Sequence, residues 1–275
     1  MTGRLAWPEL LSAAADIVDS YETGVTLRQL FYRLVAAQLL PNTTSAYKGL
    51  SAKTADARRQ GEFPDLIDRG RLIHRRAHWA SAAAALASLA AQYREDRTEG
   101  QDVSVYIGVE KAGLVMQLES WFGDFGIPIL ALGGYSSQTY VDQVVTDVED
   151  QDRPAVLLYA GDFDPSGEDI DRDFAERTAC FDKVVRVALT AEQVEAYALP
   201  PAMGKRTDSR AAAFVARHGA LVQVELDALA PDDLERLYRD AIAEFWDVSA
   251  YEAVRDRERV AVADLYVVAA DWGAP

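Results

Sequence analysis

The sequence predicts an α/β protein in which a helical N-terminal module is followed by a parallel sheet covered by helices. Two observations carry this prediction. Residues 1–80 contain three stretches whose apolar residues recur at the spacing of amphipathic helices. From residue 103 onward, short apolar runs alternate with helical stretches, which is the βαβ pattern of a parallel sheet. The chain therefore divides into a helical module (1–80), a helix and linker (81–102), a sheet domain (103–190) and a C-terminal elaboration of that domain (191–275).

The composition is that of a folded globular chain of 275 residues, of which 49% are apolar and 26% charged. The single cysteine, Cys180, excludes a disulfide framework and a multi-cysteine zinc site, so we expect a reducing, cytoplasmic location. The first residues lack the pattern of a secretory signal, and the longest uncharged stretch is mostly Ala and Ser. We therefore expect no association with a membrane.

The net charge of −16 is distributed unevenly. Between Arg28 and Arg76, ten basic residues stand against four acidic ones, a net charge of +6, whereas residues 81–275 carry the negative excess. This asymmetry suggests a nucleic-acid-gripping module beside a metal-binding module, because phosphates attract Lys and Arg and hard cations bind carboxylates. Scattered surface charge is the alternative interpretation.

The N-terminal module is predicted to be of the winged-helix or helix-turn-helix type. A first helix covers about 5–21, Thr26 can cap a second one, and a third extends from about 45 to 60 before Gly61. The third helix is basic, which is typical of a helix that contacts DNA. Three-helix packing without a DNA role is the alternative. The residues of this module that we expect to contact nucleic acid are Arg33, Lys48, Lys53, Arg58 and Arg59.

Five apolar runs in the rest of the chain are predicted as strands, at 103–109, 128–132, 155–160, 183–189 and 221–226. Helices are predicted before and between them, at about 77–94, 113–125, 138–149, 167–179 and 209–218. A last amphipathic helix covers about 234–246, and the final 25 residues have no clear assignment. In a sheet of this kind, functional groups collect at the carboxyl ends of the strands.

Acidic residues follow two of the predicted strands. Glu110 ends the first strand, and Asp162 and Asp164 follow the third. Residues two apart in an extended chain point to the same side, so the two aspartates can present both carboxylates to one ion. With Glu110 from a neighbouring strand, three carboxylates would converge on a hard divalent cation, for which Mg²⁺ is the default.

The strings VEKAG at 109–113 and GDFDPSG at 161–167, with a glycine-bearing turn at 132–137 between them, resemble the Toprim domain of topoisomerases, bacterial primases and related nucleases. The resemblance covers about residues 103–190. It implies that Asp162 and Asp164 hold Mg²⁺, while Glu110 contributes to the ion or acts as a general acid or base. Three nearby carboxylates raise one another's pKa and a bound ion offsets that repulsion, so metal occupancy should tune the site.

A second resemblance lies at 26–33 (TLRQLFYR), which is similar to the helix of topoisomerase VI A subunits and of the meiotic double-strand-break transesterase. It implies that Tyr32 is the nucleophile that attacks DNA. Arg28 lies four residues earlier on the same flank of the helix, and with the ion it would help a poorly nucleophilic tyrosine to react. The alternative is that Tyr32 is an ordinary half-buried aromatic residue.

The chain departs from topoisomerase VI A subunits in being shorter and in containing nothing that resembles an ATPase module. It is also similar to the Toprim nuclease subunits of plasmid-defence systems, which share winged-helix and Toprim parts and are thought to hydrolyse DNA. Hydrolysis by metal-activated water, with Tyr32 merely structural, is therefore the nearest alternative.

Charged residues elsewhere suggest further contacts. Lys205 and Arg210 could hold phosphate, and Lys111 is a further expected nucleic-acid contact. Glu225 and Asp227 alternate on a predicted strand and could form a second cation site. Solvated loop and strand-end charges are the alternative.

These observations together predict Mg²⁺-dependent cleavage of DNA that leaves Tyr32 in a 5′-phosphotyrosyl link. A non-catalytic DNA-binding subunit, which uses the ion to hold phosphate, is the alternative from another class. The expected partners are DNA, a second copy of the chain, and an ATPase or SMC-like subunit. The resemblance also implies a dimer in which one chain's tyrosine faces the other chain's metal. In that arrangement Tyr32 and Asp162 would lie far apart within one chain.

Overall fold

The prediction of an α/β fold is confirmed by the computed structural model, which describes residues 6–21, 24–67, 76–201 and 210–272. The strands are β1 (Ser104–Val109), β2 (Ile129–Ala131), β3 (Ala155–Ala160) and β4 (Lys183–Ala188). They form one parallel sheet in the order β2-β1-β3-β4. Among the described residues, none of the helices has the length and apolar content needed to cross a lipid bilayer.

Helices surround this sheet and form the N-terminal module. They are α1 (Trp7–Asp19), α2 (Leu27–Ala36), α3 (Thr44–Gln60), α4 (Ala82–Gln92), α5 (Val115–Phe122), α6 (Gln138–Glu149), α7 (Gly167–Thr178), α8 (Ala191–Ala196), α9 (Ala211–His218), α10 (Pro231–Ala243) and α11 (Val248–Asp271). Short 3₁₀ helices lie at Ala112–Leu114, Gly123–Phe125 and Leu226–Ala228.

The first three helices pack around an apolar core of their own, which includes Leu30, Leu34 and Leu50. The predicted cap of α2 is present, because the Thr26 side chain accepts a hydrogen bond from the backbone N–H of Gln29. Gly61 ends α3 in the left-handed region, with a φ of 75°, which glycine adopts without steric cost. Residues 61–67 and 76–80 contain no strand, and residues 68–75 lie outside the described part of the chain. The predicted helices of this module are therefore confirmed, and its wing stays a prediction.

Both faces of the sheet are covered, so β1 and β3 are buried along their whole length. On one face, Ile107 packs in a core that also contains Leu118 of α5 and Tyr238 of α10. On the other face, Tyr159 shares a core with Val144 of α6 and with residues of α7. The carboxyl ends of β1 and β3, which lie side by side, are thus held in one rigid frame.

The prediction of a fifth strand at 221–226 is wrong. Val224 makes only an isolated antiparallel bridge with Phe163, and a 3₁₀ helix begins at Leu226. The physical reason lies in side-chain contacts, because the Asp162 carboxylate accepts a hydrogen bond from the backbone N–H of Leu226 at 2.7 Å and Glu225 pairs with Lys111. These contacts turn the chain, where local periodicity predicts an extended run.

The C-terminal residues that had no assignment form α11, a helix of 24 residues that packs along α4. A buried ion pair joins it to the linker after α4, with Arg97 Nη2 lying 2.5 Å from Glu258 Oε1. The predicted Ala-rich helix at about 77–94 is shorter than expected, because α4 begins at Ala82 after the cap residue Ser81.

Candidate active site

The first part of the site lies where β1 and β3 end. Val109 pairs with Ala160 in the parallel ladder, so Glu110 and Asp162 emerge at the same edge of the sheet. Glu110 Oε2 accepts a hydrogen bond from the backbone N–H of Asp162 at 2.8 Å. The sequence-based expectation that these strand ends bring Glu110 and Asp162 together is confirmed.

Two glycines allow the close approach of the Glu110 carboxylate. A Cβ atom at Gly161 would lie 2.9 Å from Glu110 Oε2, and one at Gly167 would lie 3.2 Å from it. At Gly167 the added atom would also overlap the carbonyl oxygen of Asp162. Burial raises the pKa of Glu110, and the nearby Asp164 raises it further, while Lys111 and the Asp162 backbone N–H act in the opposite direction.

Asp162 is a buried acid of the site, with 8% of its surface exposed. Its Oδ1 atom accepts a hydrogen bond from the backbone N–H of Leu226 and lies 2.9 Å from Lys111 Nζ. Burial raises the pKa of Asp162 to about 7, although the Lys111 ammonium opposes this rise, and Glu110 and Glu225 add to it. The carboxylate is therefore held in an environment that disfavours its charge.

Asp164 has different partners from Asp162. Its Oδ1 atom accepts a hydrogen bond from the backbone N–H of Gly167 at 2.6 Å, at the start of α7. Within the described residues, no three His, Cys, Asp or Glu side chains are arranged as a metal site. Mg²⁺, however, needs only one or two carboxylates and completes its shell with water and substrate phosphate. The crowded, buried carboxylates at Glu110 and Asp162 suit a hard cation chemically, and the Mg²⁺ site stays a prediction.

The second part of the site is an ion-pair cluster around Lys111. Its ammonium group contacts Glu225 and lies 2.9 Å from Asp162 Oδ1 and 3.3 Å from Asp227 Oδ2. Burial alone would lower the pKa of Lys111, but the three carboxylates outweigh burial and raise it. Arg28 of α2 joins the same cluster, with Nη2 at 2.9 Å from Glu225 Oε2. We call Arg28, Lys111, Asp162, Glu225 and Asp227 the Lys111 cluster.

Glu225 and Asp227 therefore have a different setting from the one predicted. They lie at and within a 3₁₀ helix, and the expected alternation along a strand face is wrong. Lys111 and Arg28 pair with both carboxylates, so side-chain cations stand where a second metal ion was expected. The two cations outweigh the effect of burial and lower the pKa of Glu225.

Tyr32 of α2 is half-buried against this cluster. Its ring centroid is 5.3 Å from the Arg28 guanidinium and 5.9 Å from Lys111 Nζ, and the Glu225 carboxylate acts electrostatically on its hydroxyl. Burial and the Glu225 carboxylate raise the pKa of Tyr32, and they outweigh the two cations, which lower it. Arg28 therefore lies beside Tyr32 as predicted, whereas Lys111 was not expected there, and the raised pKa of Tyr32 favours its protonated form. Tyr32 and Asp162 are joined through Lys111 within one chain, so the expected wide separation is not found.

The residues predicted to contact nucleic acid fall into two groups. Lys48, Lys53 and Arg59 of α3 are exposed, although Arg59 pairs with Asp56, and Arg58 is half-buried against its own helix. Arg33 and Arg210 serve contacts within the protein. Arg33 donates to the carbonyl of Ala228, and Arg210 donates to Ser166 and pairs with Asp169. Lys205 lies outside the described residues.

Sequence reasoning missed Arg186, which fixes the loop between β3 and α7. Its guanidinium donates to the carbonyls of Asp162 at 2.7 Å, Gly167 at 3.1 Å and Leu189 at 2.9 Å. Carbonyl groups that point to one guanidinium cannot rotate freely, so Arg186 positions the loop that carries Asp162 and Asp164. The signal was present in the sequence as a single charged residue within the otherwise apolar end of β4.

Tyr159 is a second residue that sequence reasoning missed. It is fully buried in β3, and its hydroxyl has no hydrogen-bond partner among the described residues. The hydroxyl lies beside Gly161, close to the position of Glu110 Oε2. An unpaired buried polar group is rare in native proteins and calls for an explanation, such as an ion or water at the site. The apolar run of β3 predicts Tyr159 only as a core residue, so no pattern in the sequence indicated a role for its hydroxyl.

The fold and this site together define an α/β protein with an acidic, ion-paired site at the carboxyl edge of a parallel sheet. Comparison of the sequence with models of known protein families gave no match, and no curated protein sequence matched it significantly. The resemblance to Toprim proteins therefore stays a prediction.

Proposed function

We propose that this protein cleaves the DNA backbone in a Mg²⁺-dependent reaction in which Tyr32 is the attacking group. The observation that carries the proposal is the meeting of Tyr32, Arg28 and Lys111 with the acidic strand ends of β1 and β3. A tyrosine, two cations and a set of carboxylates are the groups that phosphodiester transesterification requires.

In this reaction the Tyr32 oxygen forms a bond to phosphorus while the bond to the 3′ oxygen breaks. The tyrosine is left joined to the 5′ phosphate, and the 3′ oxygen leaves as a hydroxyl after taking a proton from water. The raised pKa of Tyr32 means that its proton must depart during the attack, and the neighbouring Glu225 carboxylate would receive it. Arg28 and Lys111 would stabilise the negative charge that develops on the phosphate.

The acidic strand ends would hold the Mg²⁺ ion through Glu110 and Asp162, with Asp164 as a further carboxylate before α7. The ion would supply charge stabilisation for the phosphate oxygens and orient the substrate. Arg186 keeps the loop that bears these residues in place through its bonds to the loop carbonyls.

A cleft of about 170 Å³ lies next to Tyr32 and is open to solvent between α2 and α3. Arg28, Asn42 and Tyr47 contribute polar groups to its wall. A DNA strand that enters this cleft would meet Tyr32 and Arg28 on one side and Tyr47 of α3 on the other. The cleft thus offers a path from the DNA-gripping helix to the attacking group.

Hydrolysis by metal-activated water is a second candidate, and one observation favours it. Burial and the Glu225 carboxylate raise the pKa of Tyr32, which suits a tyrosine that orders the cluster without reacting. In this case Tyr32 would be a structural partner of Glu225, and the acidic strand ends would still hold the ion.

Plasmid cleavage by the Tyr32→Phe variant tests the two candidates. Wild-type protein is incubated with supercoiled plasmid and Mg²⁺, followed by denaturing electrophoresis with and without protease. We expect protease-sensitive retention of DNA in the wild type and none in Tyr32→Phe, with DNA affinity changed by no more than about threefold. Tyr47→Phe, which alters another tyrosine of the same cleft, is the matched control.

A Tyr32→Phe protein that still nicks plasmid at nearly the wild-type rate would replace transesterification by hydrolysis. In that case Glu110→Gln should lose cleavage, because it removes a metal ligand or a proton-transfer group. DNA binding without any cleavage by the wild type would leave only the non-catalytic subunit.

The DNA-gripping role of α3 has its own test. Lys48 and Arg59 are exposed on the side of α3 that faces away from the buried Leu50. Reversing both to Glu should weaken DNA binding and flatten its salt dependence, by a slope of about 0.9 for each phosphate that the helix no longer neutralises. An unchanged affinity over a salt titration would exclude α3 from the DNA interface.

A further inference from the structure

Helix α11 has two apolar faces, of which only one is covered. Tyr251, Val254 and Ala269 are buried on the side that packs against α4 and the end of α5. On the opposite side, a second stripe of exposed apolar residues recurs at intervals of seven, three, four and three: Ala253, Val260, Ala263, Val267 and Ala270. A helix that is apolar on both sides is expected to be covered on both sides.

We propose that two copies of this chain associate through this exposed stripe as a parallel two-stranded coiled coil of their α11 helices. The spacing is that of a heptad repeat, in which Ala253, Val260 and Val267 occupy the first core position. Ala263 and Ala270 occupy the second core position. In parallel coiled coils, β-branched residues at the first position favour two strands over three or four, and the small alanine side chains at the second let the two helix backbones approach closely.

Charge complementarity identifies a second copy as the occupant of this face. In a parallel coiled coil, the residue immediately before each first core position lies opposite the residue five positions later in the sequence of the partner helix. Arg259 then meets Asp264 of the partner subunit, and the symmetry of the dimer makes this contact twice. Arg259 and Asp264 are both exposed, so each can turn towards the partner.

The same rule adds two further pairs. Tyr266 would face Asp271 of the partner subunit, and Glu252 would face Arg257 of the partner subunit, although Arg257 also pairs with Glu95 and Glu99 of its own chain. Asp256 is the one charged residue in the stripe, and it is paired with Arg259 of its own helix. The apolar contact therefore begins at Val260 and extends towards the C-terminal end of α11.

An antiparallel pair is less favourable on this surface. In an antiparallel pair, the same flank of each helix faces its counterpart on the partner. The antiparallel alignment in which Asp256 does not meet an apolar core residue therefore places the two Asp264 residues next to each other. Like charges in direct contact oppose association. The distribution of charge along α11 thus selects the parallel arrangement.

Sedimentation of the full chain at about 1 to 100 µM tests the proposal, because a short seam of this kind should give a dimer that forms and dissociates in this range. Val267→Glu should abolish the dimer. Val268→Glu is the matched control, because Val268 is the next residue, is similarly exposed (53% against 61%) and lies off the stripe. Both variants should fold with wild-type circular dichroism, since neither side chain is buried.

The charge pairs and the direction of the helices are tested separately. Arg259→Glu should weaken the dimer by placing like charges together, and the double variant with Asp264→Arg should restore it. With the native Cys180 changed to Ser, Val267→Cys should form a disulfide between subunits under mild oxidation, because equivalent core positions face each other only in a parallel pair.

Three results would overturn the proposal. The first is a protein that stays monomeric throughout the concentration range. The second is a dimer that survives Val267→Glu, or that Val268→Glu disrupts to the same extent. The third is a dimer that depends on Val267 but is not linked by Val267→Cys, which would mean an antiparallel pair. These measurements do not involve DNA or Mg²⁺, so their outcome is independent of the proposed cleavage reaction.

Discussion

Two buried groups of charges in this protein are built differently. Arg97 and Glu258 form a pair whose side chains are 7% and 8% exposed, with two hydrogen bonds between guanidinium and carboxylate. The Lys111 cluster contains three carboxylates and two cations, and the Glu110 carboxylate lies beside it. The first group is balanced in charge and geometry, whereas the second carries an excess of negative charge.

The pKa values of the acids follow this difference. The hydrogen bonds and charge of Arg97 lower the pKa of Glu258, so folding favours its ionised form. Burial raises the pKa of Asp162 to about 7, so folding disfavours its ionised form. A balanced ion pair stabilises the fold. An excess of buried carboxylates destabilises it through electrostatic repulsion, which a bound cation can reduce. This contrast separates a structural ion pair from a candidate functional site.

The largest expected effect comes from breaking the balanced pair. Glu258→Ala leaves the buried Arg97 with the exposed carboxylate of Asp124 as its only ionic partner among the described residues, which should lower the free energy of unfolding by about 3 kcal/mol. Urea titration followed by circular dichroism measures this decrease. The control is Glu99→Ala, which removes an exposed partner of Arg257 and should cost no more than about 1 kcal/mol. Equal decreases in the two variants would mean that the Arg97–Glu258 pair has no special role.

The same pair predicts a loss of stability in acid. Because the pKa of Glu258 is lowered on folding, its contribution is complete above its ordinary value of 4.5 and is lost as the pH falls through the lowered value. The free energy of unfolding of the wild type should therefore decrease below about pH 4.5. Glu258→Ala should show a smaller decrease over the same range, and parallel curves for the two proteins would contradict the assignment.

The unbalanced cluster predicts the opposite response for Asp162. Its pKa rises to about 7 on folding. The contribution of Asp162 to the free energy of unfolding is therefore fully present below about pH 4 and is lost as the pH rises through 7. Asp162→Asn, which stays neutral, should therefore match the wild type near pH 4 and exceed it by at least about 1 kcal/mol near pH 8. Thermal and urea unfolding at both pH values measure the difference.

Mg²⁺ should reduce the difference in the free energy of unfolding between Asp162→Asn and the wild type near pH 8. The cation stabilises the charged carboxylate of the wild type, and Asp162→Asn lacks that charge. Asp240→Asn, which changes an exposed aspartate of α10, controls for the removal of a charge elsewhere. A less stable Asp162→Asn protein at every pH would make Asp162 a structural partner of Lys111 and would remove the contrast between the two groups of charges.

The sequence was sufficient to predict the elements of the sheet and the acidic strand ends. The alternation of apolar runs located β3 and α6 at their observed bounds, because both are signalled by local periodicity. The same reasoning failed at 221–226, where contacts to Asp162 and Lys111, distant in sequence, turn the chain. Contacts between residues far apart in the chain leave no periodic signal.

Two other features could not be read from local patterns. Helix α11 has apolar residues on both sides, so it lacks the single stripe by which an amphipathic helix is recognised. Lys111 was expected to contact nucleic acid, but its role in joining Glu225 to Asp162 depends on the docking of the 225–228 segment against the sheet. Only the folded chain brings these residues together.

The smallest expected change in the free energy of unfolding compares two buried tyrosine hydroxyls, one with a hydrogen-bond partner and one without a partner in the described part of the chain. Tyr159 and Tyr238 are both 0% exposed, but they differ in the partner of their hydroxyl groups. Tyr238 donates to the carbonyl of Gly108 at 2.7 Å, whereas the Tyr159 hydroxyl has no partner among the described residues. Removing a hydroxyl that makes a buried hydrogen bond leaves its acceptor unpaired, while removing an unpaired one costs no such bond.

Tyr238→Phe should therefore lower the free energy of unfolding by about 1 kcal/mol, and Tyr159→Phe should leave it unchanged or raise it slightly. Urea unfolding of both variants without divalent cations measures this, since each change removes one oxygen from a ring that stays packed. A decrease in Tyr159→Phe as large as that in Tyr238→Phe would mean that its hydroxyl is bound to an ordered water. If Tyr159→Phe instead keeps its stability but is stabilised less by Mg²⁺ than the wild type, the unpaired hydroxyl serves the acidic site beside Glu110 and not the fold.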